Sequence, residues 1–273
     1  MALRELLRGK LTRKELKYVP SSFDVIGNKD KAVAIIEIPD ELKKKKKILA
    51  EGVMQQHKNV KTVLDKGTPR KGEFRIRNMK IISGNKNTDV VQMENGCRLM
   101  MDPRKVYFSQ REGTERQRIF QLVRPEETVM VFFAGAGPFA VQIAKKVKNV
   151  IGVEKNPYGI KYFRKNIALN KLQNTTAVLG DVKTKAKKYY GKCDRVLMPL
   201  PETAIDYIDY AVGCLKDTGF IHLYFFCNEE NLEKKKEEII GKINAHCTLN
   251  VHKVLPYGPK IWKYRADIHV SKR

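Results

Sequence analysis

The stretch Thr128-Val-Met-Val-Phe-Phe-Ala-Gly-Ala-Gly-Pro-Phe-Ala140 decides the fold. Its apolar run predicts a strand, Gly135-Ala-Gly137 a tight turn, and the residues from Pro138 onward the start of a helix. Glycine suits that turn because the backbone bends sharply and a ligand must approach without meeting a β-carbon. A second apolar run, Asn149-Val-Ile-Gly-Val153, ends in Glu154, about 20 residues past the turn. A carboxylate there can accept hydrogen bonds from both hydroxyls of an adenosine ribose. The two runs together predict a nucleoside-cofactor site in a doubly wound α/β domain.

Gly135, Gly137 and Ala140 also satisfy the G-x-G-x-x-G/A dinucleotide pattern, so the turn alone leaves a nicotinamide enzyme open. Two later loops point elsewhere. The run Thr175-Thr-Ala-Val-Leu179 ends in Gly180-Asp181, and Asp194-Arg-Val-Leu-Met198 ends in Pro199-Leu-Pro201. An acidic side chain after the third strand can bond an adenine amino group, and a rigid proline loop after the fourth can wall a transfer site. Such a four-loop set is the pattern of S-adenosylmethionine enzymes. Asp181 as a turn former and the prolines as strand terminators are the plainer readings.

The chain has 273 residues, enough for one large or two modest domains. Its 54 Lys+Arg against 30 Asp+Glu give a net charge of +24. An excess of that size suits a polyanion such as nucleic acid, although a lysine-rich composition produces part of it without any partner. Cys97, Cys193, Cys214, Cys227 and Cys247 are widely spaced with no C-x-x-C pair, so neither a disulfide framework nor a metal site is expected and a reducing cytoplasm is. No apolar stretch approaches the roughly 20 residues of a membrane span.

Residues 1–18 read as a short basic helix that either docks on a core or forms a tail. Two strands follow, 21–27 and 31–38, then a helix from Lys43 to Gln56 opening on a lysine run, and a strand at 60–64. After the basic loop 67–72, the alternation of Glu73 to Ile82 predicts a strand with Phe74 and Ile76 on one face and Arg75 and Arg77 on the other. Asn95-Gly96 between apolar runs predicts a hairpin. Residues 1–98 are thus expected to form a small α+β domain and 99–273 the α/β domain. Thr114-Glu-Arg-Gln117 predicts a capping box that opens a helix with Glu115 in its first turn, where helix stabilisation alone would account for the carboxylate. Helices are further predicted at 157–167, 202–216 and 229–245, and two closing strands at 247–254 and 262–270 form an antiparallel edge.

Several motifs in order resemble one family. They are Phe74-Arg-Ile-Arg77, Val106-Tyr-Phe-Ser-Gln-Arg111, Thr114-Glu-Arg116, Phe133-Ala-Gly-Ala-Gly-Pro-Phe139, Glu154-Lys-Asn-Pro157, Asn166-Ile-Ala-Leu-Asn170 and Asp194 to Pro201. The set is similar to the archaeal and eukaryotic tRNA guanine-37 N1-methyltransferases, from about residue 19 to the end. The resemblance implies a Rossmann-like class I methyltransferase domain that binds S-adenosylmethionine, with a smaller preceding domain that helps hold a tRNA anticodon stem-loop. By the same resemblance Arg75 contacts O6 of the target guanine and Glu115 removes its N1 proton. Tyr107 and Arg116 lie close enough in sequence to help position base and carboxylate, and with Phe133, Ala134, Gly135, Gly137, Pro138, Glu154, Asp181, Pro199 and Pro201 they are expected in the cofactor site. A monomeric cytoplasmic enzyme of tRNA processing is expected.

Four departures qualify the resemblance. Val131 stands where most relatives have an aspartate, and Gln110 replaces a usual loop proline. A separate amino-terminal domain that grips the outer corner of tRNA in many relatives is not expected in this chain. Pro199 stands where an asparagine usually could hold the base. That change resembles the archaeal branch that also methylates the wyosine precursor 4-demethylwyosine at a carbon. A cousin family transfers the aminocarboxypropyl arm of the same cofactor, and outside the enzymes a non-catalytic RNA-binding protein on this scaffold is the rival reading.

Overall fold

A computed structural model describes residues 2–67, 74 and 76–272 of the chain. These fall into two compact units, Met1–Phe108 and Ser109–Arg273. The first unit therefore includes the connector through Phe108, past the boundary expected at 98.

In the first unit the single basic helix expected at the start is broken into α1 (Leu3–Leu6) and α2 (Arg13–Leu16). Gly9 at φ 81° turns the chain between them, and Thr12 caps α2 by accepting from the Glu15 N–H at 3.2 Å. Leu3, Leu7 and Leu11 are buried against Leu49, Ala50 and Val53, so the segment docks. Strands β1 (Asp24–Gly27) and β2 (Ala32–Ile36) follow, then a 3-10 turn, Asp40–Lys45, leading into α3 (Lys46–Gln56). Along the lysine run Leu42 is buried while Lys43, Lys44, Lys46 and Lys47 are exposed, which is a solvated helix face.

Strands β3 (Val60–Asp65) and β4 (Lys80–Gly84) complete a sheet in the order β1-β2-β3-β4, with β2 and β3 parallel. Of the strand expected from Glu73, the part from Lys80 onward lies in β4, and Glu73 lies outside the described residues. Its partner β3 ends at Asp65, which pairs with Lys80. Phe74 is exposed, and the basic loop 68–72 and Arg75 lie outside the described residues. Strands β5 (Val90–Glu94) and β6 (Cys97–Met101) form the expected hairpin, with Asn95 at φ 47° and Gly96 at φ 70° as a type I′ turn requires.

The second unit opens with α4 (Gly113–Leu122), entered from a 3-10 turn at Gln110–Glu112. Glu112 occupies the cap position and no side chain caps the helix, so the capping box expected at Thr114 does not form; Thr114 lies inside the first turn with Glu115. The chain then alternates through β7 (Thr128–Phe132), α5 (Pro138–Ile143), β8 (Asn149–Glu154), α6 (Pro157–Leu169), β9 (Thr175–Leu179), α7 (Val182–Lys185) and β10 (Cys193–Met198). It closes with α8 (Ile208–Cys214), β11 (Leu215–Asn228), α9 (Leu232–Gly241), β12 (His246–Gly258) and β13 (Ile261–Ser271). Helices α8 and α9 are shorter than expected because each begins as a 3-10 turn, at Ala204–Tyr207 and Glu229–Asn231.

The sheet is seven-stranded in the order β12-β13-β11-β10-β7-β8-β9. The strands from β11 to β9 run parallel, and β13 is antiparallel to both of its neighbours. From β7 the chain winds to β8 and β9 on one side and to β10 and β11 on the other. This reversal places the binding crevice of an open α/β sheet at the carboxyl ends of β7 and β10. One sheet face packs Met198, Leu223, Phe225 and Ile268 against Ile208 and Ile239 of α8 and α9. Among the described residues no helix is long and apolar enough to cross a membrane.

Candidate active site

Four loops meet the carboxyl ends of β7 to β10. After β7, Phe133 takes φ 54°, a left-handed conformation that non-glycine residues rarely adopt, and its ring stands edge-on to Tyr207 at 4.9 Å. The Ala134 N–H donates to Val153 O at 3.0 Å, Gly135 takes φ 57°, and Gly137 at φ 82° is the residue before Pro138 opens α5. A β-carbon on Gly137 would lie 2.2 Å from Phe163, so only glycine fits there; one on Gly135 would meet no atom within 4 Å. The space over Gly135 is thus open to a ligand.

Glu154, at the end of β8, accepts from the Gly135 N–H through Oε2 at 2.7 Å and from the Asn156 N–H through Oε1 at 2.6 Å. A carboxylate has about four lone-pair sites, so acceptor capacity remains beside these bonds for a ribose hydroxyl. Burial raises the Glu154 carboxyl above its ordinary range, and backbone N–H bonds from Asn156, Gly135 and Lys155 oppose that rise by favouring the ionised form. After β9, Asp181 caps α7 by accepting from the Lys183 N–H at 2.8 Å and meets Lys155 Nζ at 3.2 Å. It is the turn former of the plainer reading and still presents acceptor oxygens to solvent. Pro199 and Pro201, half-buried, follow β10 directly. The site therefore offers acceptors for hydroxyl and amino protons, an open glycine backbone and a rigid wall. That donor and acceptor set fits S-adenosylmethionine.

Glu115 is 4% exposed. Its Oε1 accepts from Tyr224 Oη at 2.8 Å and from Arg265 Nη1 at 2.7 Å, while Oε2 lies 3.7 Å from Arg118 Nε. Arg265 also donates through Nη2 to Asp267 Oδ2 at 2.6 Å. Asp267 accepts from His222 Nδ1, and His222 Nε2 faces Arg195 Nη1. Arg195 holds Glu127 with both oxygens, at 2.8 and 2.7 Å. One polar chain thus runs from Glu115 across β13, β11 and β10 to Glu127. Arg116, 1% exposed, donates to Ser109 O at 2.8 Å and stands over the Phe139 ring. Tyr107 belongs to the first unit and is exposed.

Residues 90–252 match the TRM5/TYW2 methyltransferase domain, and residues 3–88 the TYW2 N-terminal domain. The chain belongs to the TRM5/TYW2 methyltransferase family. It is 39% identical to the tRNA (guanine(37)-N(1))-methyltransferase Trm5b of Pyrococcus abyssi, over 93% of this chain and 76% of that protein. It is 30% identical to the tRNA(Phe) (4-demethylwyosine(37)-C(7)) aminocarboxypropyltransferase of Pyrococcus horikoshii, over 99% of this chain and 96% of that one. The structure of aTrm5 in complex with tRNALeu superposes with a TM-score of 0.86 at 31% identity, covering 99% of this chain and 78% of that one. The fold is the Rossmann-like one of S-adenosylmethionine-dependent TRM5/TYW2 enzymes, preceded by an N-terminal domain, and both branches are among the relatives.

The polar chain that holds Glu115, through Tyr224, Arg265, Asp267, His222 and Arg195, has no local motif in the sequence. One signal was present. Lys263, Arg265 and Asp267 alternate along a strand whose other positions, Tyr264, Ala266 and Ile268, are apolar, and a strand buried on both faces does not carry three charges without partners.

Two results are expected from this geometry. Gly135→Ala should fold, at a cost of about 1–2 kcal/mol for the left-handed backbone, yet lose S-adenosylmethionine affinity because the new methyl occupies the open space. Melting and calorimetric titration read the two effects separately. The second concerns pH. Burial lowers the pKa of His222, and Asp267 opposes it only in part; the ring is neutral, with Nδ1–H donating to Asp267 and Nε2 accepting from Arg195. Above about 6.5 the folded and unfolded rings are both neutral and the contribution is fully present. As pH falls below that value the unfolded chain takes up a proton that the folded ring refuses, so stability declines toward the folded pKa. Denaturant midpoints between about pH 7.5 and pH 5 should fall for the wild type and fall less for His222→Gln.

Proposed function

We propose that this protein transfers a methyl group from S-adenosylmethionine to N1 of guanosine 37, beside the anticodon of tRNA. The observation that carries the reading is the state of Glu115: a buried carboxylate with Oε1 filled by two donors and Oε2 accepting no hydrogen bond among the described residues. N1 of a neutral guanine bears a proton and is a poor nucleophile. Glu115 Oε2 receives that proton as N1 attacks. Arg75, by resemblance, faces O6 and stabilises the negative charge that moves onto it. Base catalysis of this kind contributes about 10²–10⁴ in rate, and charge stabilisation adds to it. The bound cofactor supplies an electrophilic methyl on its sulfonium. Glu154 would hold the ribose hydroxyls and Asp181 the adenine amino group, with the backbone of Phe133 to Pro138 facing the nucleoside and Pro199 and Pro201 walling the transfer side.

The acceptor reading is supported by the tRNA complex of a relative and by the net charge of +24, which favours phosphate contact and counterion release. The target base must leave its stack, and a single-stranded loop makes that inexpensive. The protein acts in the cytoplasm as a monomer. A second reading, aminocarboxypropyl transfer, is favoured by the match to the TYW2 N-terminal domain and by the near-complete coverage of the P. horikoshii relative. The two differ in which arm of the cofactor faces the base. Incubation with unmodified tRNA and with 4-demethylwyosine-bearing tRNA, followed by mass analysis of the nucleosides, separates them. Methylated guanosine 37 supports the proposal, methylation of the precursor adds the second acceptor, and an aminocarboxypropyl adduct replaces the proposal with its rival.

A further inference from the structure

Helix α4 opens with Glu112 and Glu115, three residues apart, and β13 carries Lys263 and Arg265, two apart, so each pair projects from one side of its own element. The structure joins them rung by rung. Lys263 Nζ donates to Glu112 Oε1 at 2.7 Å, and Arg265 Nη1 donates to Glu115 Oε1 at 2.7 Å. All four side chains are nine-tenths or more buried. Buried ion pairs are a poor way to hold a helix on a sheet, because taking the charges out of water offsets most of their attraction and apolar pairs hold as well. Arg265 even leaves its Nε buried without a partner. What these pairs provide that apolar contacts do not is a carboxylate of fixed orientation.

Arg265 is itself fixed, since Nη2 is committed to Asp267 Oδ2 at 2.6 Å. Tyr224, whose ring lies between Phe139 and the Lys263 ammonium, brings its hydroxyl to the same Glu115 oxygen. Two donors from two strands define the plane of the carboxylate, and Oε2 is the oxygen left over. Strand β13 lies beyond residue 252, where the match to the methyltransferase domain ends.

We propose that Arg265 and Tyr224 are positioning residues for Glu115: they clamp Oε1 so that Oε2 is the atom that receives the substrate proton. This rests on the reading of Glu115 as the base. Neither residue touches the substrate; each acts through the carboxylate. The charged and titratable groups facing Glu115 are Arg118 on its own helix, Tyr224 on β11 and Arg265 on β13, with the Lys263–Glu112 pair one turn away.

The test is methyl transfer to tRNA by the full chain, with kcat, KM for tRNA and cofactor affinity measured for the wild type, Tyr224→Phe, Arg265→Lys, Arg265→Ala, Glu115→Gln and the Tyr224→Phe/Glu115→Gln double variant. Tyr224→Phe keeps the ring and removes only the hydroxyl, so it tests the clamp even where Arg265→Lys fails to fold. Tyr224→Phe should lower kcat about tenfold, the worth of one hydrogen bond to a charged group, with KM for tRNA and cofactor affinity unchanged. Arg265→Lys, keeping charge with less reach, should retain more activity than Arg265→Ala. Adding Tyr224→Phe to Glu115→Gln should cost little more than Glu115→Gln alone, as expected of groups acting through one another. A Tyr224→Phe enzyme with wild-type kcat would overturn the positioning role while leaving the base in place. A Glu115→Gln enzyme that turns over like the wild type would overturn both.

Discussion

Glu115→Gln should slow methyl transfer by about 10²–10⁴-fold while S-adenosylmethionine binds with nearly unchanged affinity. Glutamine has the shape of glutamate, and its carbonyl oxygen can still accept from Tyr224 and Arg265, so the start of α4 keeps its geometry. The amide nitrogen cannot take a proton. Guanine N1 then keeps its hydrogen, and the loss falls on kcat and not on binding. Some destabilisation accompanies the change, because Arg265 loses one of its two anions; Asp267 remains. Rapid-quench transfer and calorimetric titration of the same preparation separate the two effects. Wild-type turnover in this variant would reduce Glu115 to an acidic residue in the first turn of a helix, where the macrodipole alone favours it.

Arg195→Met should cost about 3–5 kcal/mol of folding stability, the largest loss expected from one substitution in the second unit. Arg195 is 3% exposed and grips Glu127 with two nitrogens. It also donates to Leu122 O at 3.2 Å, lies beside His222 and stands over the Phe220 ring at 4.8 Å. Methionine fills comparable volume but leaves a buried Glu127 carboxylate and the last carbonyl of α4 without that partner. Helix α4 is thus tied at its far end by Arg195 and at its near end by Lys263 and Arg265. Denaturant titration of the two proteins reads the difference directly. A loss below about 1 kcal/mol would show that the far end of α4 is held by packing alone.

The parallel core was legible because its signals are local. Thr128 to Ala140 states strand, turn and helix in thirteen consecutive residues, and Glu154 follows at the spacing that one crossover allows. The hairpin at Asn95-Gly96 was legible for the same reason. Local signals failed at helix starts, where 3-10 turns displaced the expected boundaries and Glu112 took the cap position from Thr114. The clamp around Glu115 was illegible, since Tyr224 and Arg265 lie more than a hundred residues away in sequence. Only the sheet order, with β13 inserted antiparallel beside β11, brings them together. Alternating charges in a doubly buried strand were the one advance notice.

The most direct test follows the transferred atoms. The protein is supplied with unmodified tRNA and S-adenosylmethionine labelled either in its methyl carbon or in its aminocarboxypropyl chain, and the label at position 37 is located. Label from the methyl carbon on N1 of guanosine, with none from the chain, is the predicted result. Label from the aminocarboxypropyl chain at position 37, or none from either donor, would contradict it.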